Sequence, residues 1–186
     1  MVSIQIPAAR HCRGIRMQIT ADQTSLEQAL LHFSQQRVQL GTLGRKIADN
    51  ARNLTLLRQQ STEAKAQIAR KPDNVISLDV ARMQVDMQHL VDDTQQLAAL
   101  ACQLHQDFIA VAARQMAQSR SRMARLLDVL AQHSSLCTMT LRSRVDAAID
   151  QCRQEIDQIN HLIEKTGAAV ALLTVTAEQL SVLSLD

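Results

Sequence analysis

The sequence predicts an all-α protein: three long antiparallel helices in a coiled-coil-like bundle, preceded by a short irregular or β-like N-terminal arm. Three observations lead to this prediction. Apolar residues recur at near-helical spacing in one long segment and alternately every four and three positions in two others, which is the spacing of helices packed in a coiled coil. Aromatic residues make up 1% of the chain and there are two prolines, a composition that suits an aliphatic core on long helices. Basic and acidic residues are also grouped so that neighbouring helices would attract each other.

Residues 1–23 form the predicted arm. Two short runs in it alternate apolar and other residues with a period of two, which indicates β-strand. Such short runs near a terminus are equally typical of a disordered arm, so both interpretations stay open. The apolar members of the two runs are Val2, Ile4, Ile6, Ile15, Met17 and Ile19.

Helix 1 is predicted over about 24–70. Thr24 and Glu27 form a capping box, in which the hydroxyl and the carboxylate accept hydrogen bonds from the free amides at a helix start. Apolar residues at helical spacing then continue until the turn at Pro72. These positions are Leu26, Leu30, Phe33, Leu40, Ile47, Ala51, Leu54, Leu57 and Ile68.

Helix 2 is predicted over about 75–133 and helix 3 over about 138–184. The apolar seam of helix 2 keeps the four-three spacing up to Phe108 and resumes at Ala112, after an insertion equivalent to a stutter. The seam of helix 3 keeps the spacing throughout. Its members are Val145, Ile149, Cys152, Ile156, Ile159, Ile163, Thr166, Val170, Leu173, Ala177 and Leu180. Together the helices are predicted to form a single bundle domain over 24–186.

The distribution of charge predicts where the chain turns back. Residues 45–71 are mainly basic and residues 73–107 mainly acidic, so a hairpin at Pro72 brings opposite charges together. At the second turn, arginines of helix 2 would face carboxylates of helix 3. The arginines are Arg114, Arg120, Arg122 and Arg125, and the carboxylates are Asp146, Asp150, Glu155 and Asp157. An exposed ion pair contributes at most about 1 kcal/mol, so burial drives folding and charge selects the neighbouring helix.

One layer of the bundle is predicted to act as a kink or hinge. Gly41 and Gly44 are predicted to break helix 1 midway, because glycine weakens helices. With both hairpins closed, they are expected to lie level with Phe108 of helix 2 and Gly167 of helix 3. The register slip beside Phe108 predicts irregular packing in the same layer.

The sequence predicts no metal and no cofactor. Two pairs of Cys and His have a spacing that places both ligands on one helical face: Cys102 with His105, and His133 with Cys137. Along one continuous helix the two pairs lie roughly 40 Å apart. A metal site could instead combine His133 and Cys137 with His11 and Cys12 of the arm. Without the tight spacing of a zinc framework, free thiols are the favoured interpretation.

Nor does the sequence predict an enzyme. Asp86 and His89 have the acidic-x-x-His spacing of di-metal helix bundles, but the seam runs through Met83, Met87 and Leu90, so His89 is predicted to point outward. The chain contains neither a phosphate-binding glycine loop nor a nucleophile elbow. No catalytic residues are therefore assigned.

Nucleic-acid binding and membrane insertion are also not expected. The net charge is +2, and the arginines between Asp107 and Asp128 lack aromatic stacking partners, so ion pairs with helix 3 are favoured. Residues 167–185 contain Glu178 as their single charge, but polar residues interrupt them and the helix 3 seam passes through. A core helix is therefore favoured over a membrane span, with conditional membrane insertion as the alternative.

The predicted function is that of a non-enzymatic interaction or assembly protein, which binds a partner helix or a second copy of itself. Apolar residues broaden the surface of helix 3 beyond a narrow seam and form the predicted partner interface. They are Leu172, Val175, Val182, Leu183 and Leu185. A cytoplasmic location is predicted, because the first 25 residues lack the apolar stretch of a secretory signal and the four cysteines lack a disulfide framework.

The alternative is an exported bacterial protein without a cleaved signal peptide. The aromatic-poor, Gln-rich composition is similar to that of helical subunits of specialised secretion systems, which form filaments, needle tips or membrane translocators. Four cysteines are unfavourable for a long life outside the cell.

Overall fold

The computed structural model describes residues 8–71, 74–132 and 139–185, with side chains for most residues from 28 to 182. These residues form three helices, α1 (Ala8–Arg70), α2 (Asn74–Gln132) and α3 (Met139–Leu185), and contain no strand. α1 packs on α2, and α2 packs on α3. The predicted all-α bundle of three long helices is therefore confirmed.

The first helix begins earlier than the sequence indicated. α1 starts at Ala8, so residues 8–23 are helical and the β-like interpretation is wrong for them, while residues 1–7 lie outside the described part. The capping box at Thr24 consequently lies inside a helix. The spacing of Ile15 and Ile19 explains why a strand was predicted, because residues four apart fit one face of a helix as well as one face of a strand.

The other helix ends agree closely with the prediction. α2 and α3 begin and end within one residue of the predicted 75–133 and 138–184. At the end of α1, the Lys71 amide donates a hydrogen bond to the Gln67 carbonyl oxygen at 2.9 Å. The next residue in the sequence is Pro72, which disfavours helical backbone at the residue before it.

The chain divides into two compact units. Unit 1 comprises Met1–Gln35 and Val111–Glu155, and unit 2 comprises Gln36–Ala110 and Ile156–Asp186. The single-domain assignment for 24–186 stays a prediction.

In unit 2, α1, α2 and α3 share an aliphatic core. Asn50 Nδ2 donates a hydrogen bond to Thr94 Oγ1 at 3.1 Å, and Leu54 packs with Val91 and Leu180. Residue numbers rise along α1 as they fall along α2, so the two helices are antiparallel. Two further clusters continue this core: Leu40 and Leu43 with Ala101 and Val170, and Ile47 with Ala98 and Ala177.

Burial confirms most of the predicted seams. Every predicted seam position of α3 is buried or half-buried. α2 buries additional residues such as Val80 and Val91, as expected of a helix that packs on two neighbours. Among the seam positions whose side chains are described, Leu30 of α1 is the exception, because it is 40% exposed. The buried stripe passes through its neighbour Ala29 and then through Phe33, which was predicted.

The glycines do not interrupt the helices. α1 is continuous through Gly41 and Gly44, and no described glycine has a positive φ, so the predicted break is wrong. A single glycine costs a helix only about 1 kcal/mol, which packing on both sides of it offsets.

The predicted glycine layer is only partly right. Leu40 and Leu43 pack with Ala101, which places the glycines of α1 about two turns from the level of Phe108. On α3, a β-carbon at Gly167 would lie 3.3 Å from His105 Nε2, and the His105 ring stacks on Phe108 with centroids 6.4 Å apart. Gly167 therefore lies near Phe108 as predicted. The hinge itself stays a prediction.

Candidate functional site

The predicted partner interface lies on α3 in unit 2. Leu172 is 68% exposed, Val175 47% and Val182 62%. The side chains of Leu183 and Leu185 lie outside the described part of the chain. Large apolar side chains this open to water are uncommon when they share one face of a helix.

Helical geometry joins these residues into one stripe. Ala168, Leu172, Val175, Gln179 and Val182 are all exposed and follow one another at intervals of four, three, four and three. We call these five residues the α3 stripe. At about 100° per residue, they lie on the side of α3 opposite the buried seam. α3 therefore carries, opposite the face that the core of unit 2 covers, a second heptad-spaced face that is apolar at every position except Gln179.

Polar residues near the α3 stripe reduce its apolar character less than the sequence suggests. Thr174 Oγ1 donates a hydrogen bond to the Val170 carbonyl oxygen at 3.0 Å, and Thr176 Oγ1 donates to that of Leu172 at 2.8 Å. Each hydroxyl thus bonds to its own helix and leaves its methyl group for packing. Sequence reasoning treated these threonines as interruptions, since a sequence does not show where a hydroxyl bonds.

A second notable cluster lies in unit 1 and is polar and buried. Arg122 Nη2 donates to Glu155 Oε1 at 3.0 Å, and Arg122 Nε lies 3.1 Å from Cys152 Sγ. Ser119 Oγ donates to Glu155 Oε2 at 3.0 Å. The Arg122 and Glu155 side chains are 12% and 7% exposed, and Cys152 is fully buried. We call these four residues the Arg122 cluster.

The environment of the Arg122 cluster keeps the guanidinium charged. Burial disfavours the charge, but the hydrogen bond to Cys152 and the negative charge of Glu155 outweigh it and raise the pKa of Arg122. The predicted facing of Arg122 and Glu155 is confirmed. Asp150, predicted to face α2 as well, accepts a hydrogen bond from Arg153 of its own helix at 3.1 Å.

Residues considered for metal binding are not brought together. Within the described residues, no group of three or more His, Cys, Asp or Glu side chains could hold a metal ion. Cys102 Sγ lies 3.6 Å from Thr174 Oγ1, and His105 stacks on Phe108. His133 and Cys137 lie outside the described residues, and His89 is exposed as predicted.

Two further findings bear on function. Among the described residues, none of the three helices has a stretch long and apolar enough to cross a bilayer. Comparisons with protein-family models, curated proteins and solved structures give no match for this chain. The function is therefore inferred from the surfaces of the helices.

Proposed function

We propose that this chain is a non-enzymatic assembly protein that associates with a second copy of itself through the α3 stripe. The observation that carries the proposal is the second apolar face of α3, which is exposed although its spacing is that of a packed seam. A helix that is apolar on two opposite sides is typical of one that is buried on both sides. Association with a second copy would bury the exposed α3 stripe.

Charge favours a second copy over a different protein. Between residues 167 and 182, Glu178 is the single charged residue, so the α3 stripe has almost nothing with which to select an oppositely charged partner. The α3 stripe consists of Leu, Val and Ala with one uncharged polar residue, Gln179, and such a surface can pair with a copy of itself, as a twofold-symmetric dimer requires.

The stripe also sets the expected strength of association. Covering a Leu or Val side chain contributes on the order of 1–2 kcal/mol when about half of its surface is already buried. Two heptads make a short interface, so we expect association that depends on concentration in the micromolar range. A reducing, cytoplasmic compartment suits the free thiols of Cys102 and Cys152.

Analytical ultracentrifugation of the full chain over a concentration series tests this proposal. We expect the dimer fraction to rise with concentration, and Leu172→Asp or Val175→Asp to weaken dimerisation at least tenfold, because each places a carboxylate in the apolar interface. Leu100→Asp is the matched control, since Leu100 is 49% exposed on α2 and outside the α3 stripe.

Two results would contradict the proposal. One is a protein that stays monomeric at the highest concentration reached. The other is a Leu100→Asp variant that loses as much dimer as Leu172→Asp, because this would indicate nonspecific hydrophobic association. Circular dichroism of each variant checks that the helices remain folded.

A further inference from the structure

A groove of about 700 Å³ runs between α1 and α2 in unit 2, on a surface other than the α3 stripe. α1 contributes Asn53, Leu56 and Leu57 to its lining. α2 contributes Asp86, His89, Leu90, Asp92, Asp93 and Gln96. We call it the α1–α2 groove.

Leucines form the apolar part of the α1–α2 groove. Leu56 is 54% exposed, and Leu57 and Leu90 are half-buried. Grooves of this kind between two helices accept the apolar face of a third helix, whose anchors recur every three or four residues. The shape alone therefore fits an amphipathic helix.

The charge of the α1–α2 groove defines the polar face of that helix. Its lining has three carboxylates and no Lys or Arg. Neither Asp86 nor Asp93 forms an ion pair within the part of the chain that the structure describes. The sequence places a basic segment of α1 beside these carboxylates, but Arg52 pairs with Asp49 of its own helix. Among the described residues, no ion pair within the chain holds the carboxylates of Asp86 and Asp93.

The spacing of the carboxylates matches a helix. Asp86 and Asp93 are seven residues apart on α2, which puts them on one face about 10 Å from each other. Basic residues seven apart on a bound helix would have the same separation. Asp92 has a partner already, because it accepts a hydrogen bond from Gln88 Nε2 at 2.9 Å.

We propose that the α1–α2 groove binds a basic amphipathic helix of a partner protein. The apolar residues of that helix would cover Leu56, Leu57 and Leu90, and its Lys or Arg residues would pair with Asp86 and Asp93. Covering the leucines supplies most of the affinity, whereas the carboxylates supply selectivity and salt dependence.

Two labelled helical peptides with the same leucine face test the proposal. One carries Lys at two positions seven residues apart beside that face, and the other carries Glu there. In fluorescence-anisotropy titrations with the full chain, we expect the Lys peptide to bind at least tenfold more tightly and to weaken as salt increases. Asp86→Asn combined with Asp93→Asn should reduce this preference several-fold, with Asp92 keeping its charge, and Leu56→Ser should weaken binding of the Lys peptide several-fold.

The control variant combines Asp79→Asn with Asp107→Asn. It removes the same charge from exposed positions of α2 outside the groove, and we expect it to bind the Lys peptide like the unmodified protein. Equal affinity for both peptides, or an equal loss in this control, would overturn the proposal. So would a loss of self-association in the Asp86→Asn, Asp93→Asn variant, because the occupant would then be a second copy.

Discussion

The two units differ in the polar groups that their cores bury. In unit 2, Leu40, Ile47 and Leu54 of α1 pack with apolar residues of α2 and α3. Within the described residues, the buried atoms Gln36 Oε1 and Ser61 Oγ of this unit lack a hydrogen-bond partner. In unit 1, the Arg122 cluster places an ion pair, a hydroxyl and a thiol in one buried network.

Apolar burial and buried ion pairs contribute differently to stability and to helix register. Aliphatic burial is strong but non-directional, so a seam slipped by one heptad would bury similar surface. A buried ion pair adds little net stability, because desolvation offsets the attraction, but it penalises any register that separates the partners. Unit 1 also buries apolar residues, among them Phe33, Val145 and Ile149. We infer that apolar burial supplies most of the stability in both units and that the Arg122 cluster fixes how α2 and α3 align in unit 1.

The largest effect is expected from breaking the aliphatic core of unit 2. Ile47 is 1% exposed and packs with Ala98 and Ala177. Ile47→Ala should lower the free energy of unfolding by about 4 kcal/mol, from lost burial and the cavity that remains. Urea denaturation measures it, with Val38→Ala as control, because Val38 is 65% exposed on the same helix and should change by less than about 0.5 kcal/mol. Similar losses in both variants would contradict the assignment of the core.

A smaller effect is expected from breaking the Arg122 cluster. Glu155→Ala removes the acceptor of both Arg122 and Ser119, and should cost about 3 kcal/mol because a buried charge loses its partner. Replacing the pair as Arg122→Met with Glu155→Leu should restore the free energy of unfolding to within about 1 kcal/mol of the original.

Two controls sharpen the test of the Arg122 cluster. Asp150→Ala breaks an exposed pair with Arg153 and should cost less than about 1 kcal/mol. Ser61→Ala removes a buried hydroxyl whose oxygen has no partner among the described residues, and should not destabilise unit 2. If the double replacement is as unstable as Glu155→Ala, the network stabilises the fold directly and our interpretation of its role is wrong.

The smallest effect concerns the glycines of the proposed hinge. A β-carbon at Gly41 would meet nothing within 4 Å, so Gly41→Ala should raise the free energy of unfolding by about 0.5–1 kcal/mol. Gly167→Ala should gain less, since its β-carbon would approach His105 to 3.3 Å. Hydrogen exchange of the amides around Gly41 tests the hinge, which requires faster exchange in the original protein than in Gly41→Ala. Equal, high protection in both would exclude it.

Periodicity predicted the fold well for a simple reason. A four-three spacing specifies which side of a helix is buried, and all predicted seam positions of α3 are buried or half-buried. The start of α1 was harder to predict, because Ile15 and Ile19 fit a helix and a strand equally. Leu30 was assigned to the core, although its neighbour Ala29 is the residue that is buried. Spacing alone did not distinguish between these adjacent apolar residues.

The candidate sites likewise divide into one that residue spacing predicts and one that it does not. Leu172, Val175 and Val182 could be predicted as a surface because they fall outside the seam of α3. The α1–α2 groove could not be predicted in this way. The sequence places basic residues of α1 beside the carboxylates of the groove, whereas in the structure Arg52 forms an ion pair with Asp49 of its own helix. Rotamers and hydrogen-bond partners are chosen by three-dimensional neighbours, so opposite charge in two segments predicts that helices meet and not which charges pair.

The formation of three helices, the ends of two of them and the apolar side of each could be predicted from the pattern of residues, because these properties depend on residues close together along the chain. Packing between the helices made Arg122 and Glu155 a buried pair rather than an exposed one and kept the glycines within continuous helices. It also left Asp86 and Asp93 without an ion pair in the part of the chain that the structure describes. These outcomes depend on which side chains of different helices come within hydrogen-bonding distance and on how much water they exclude.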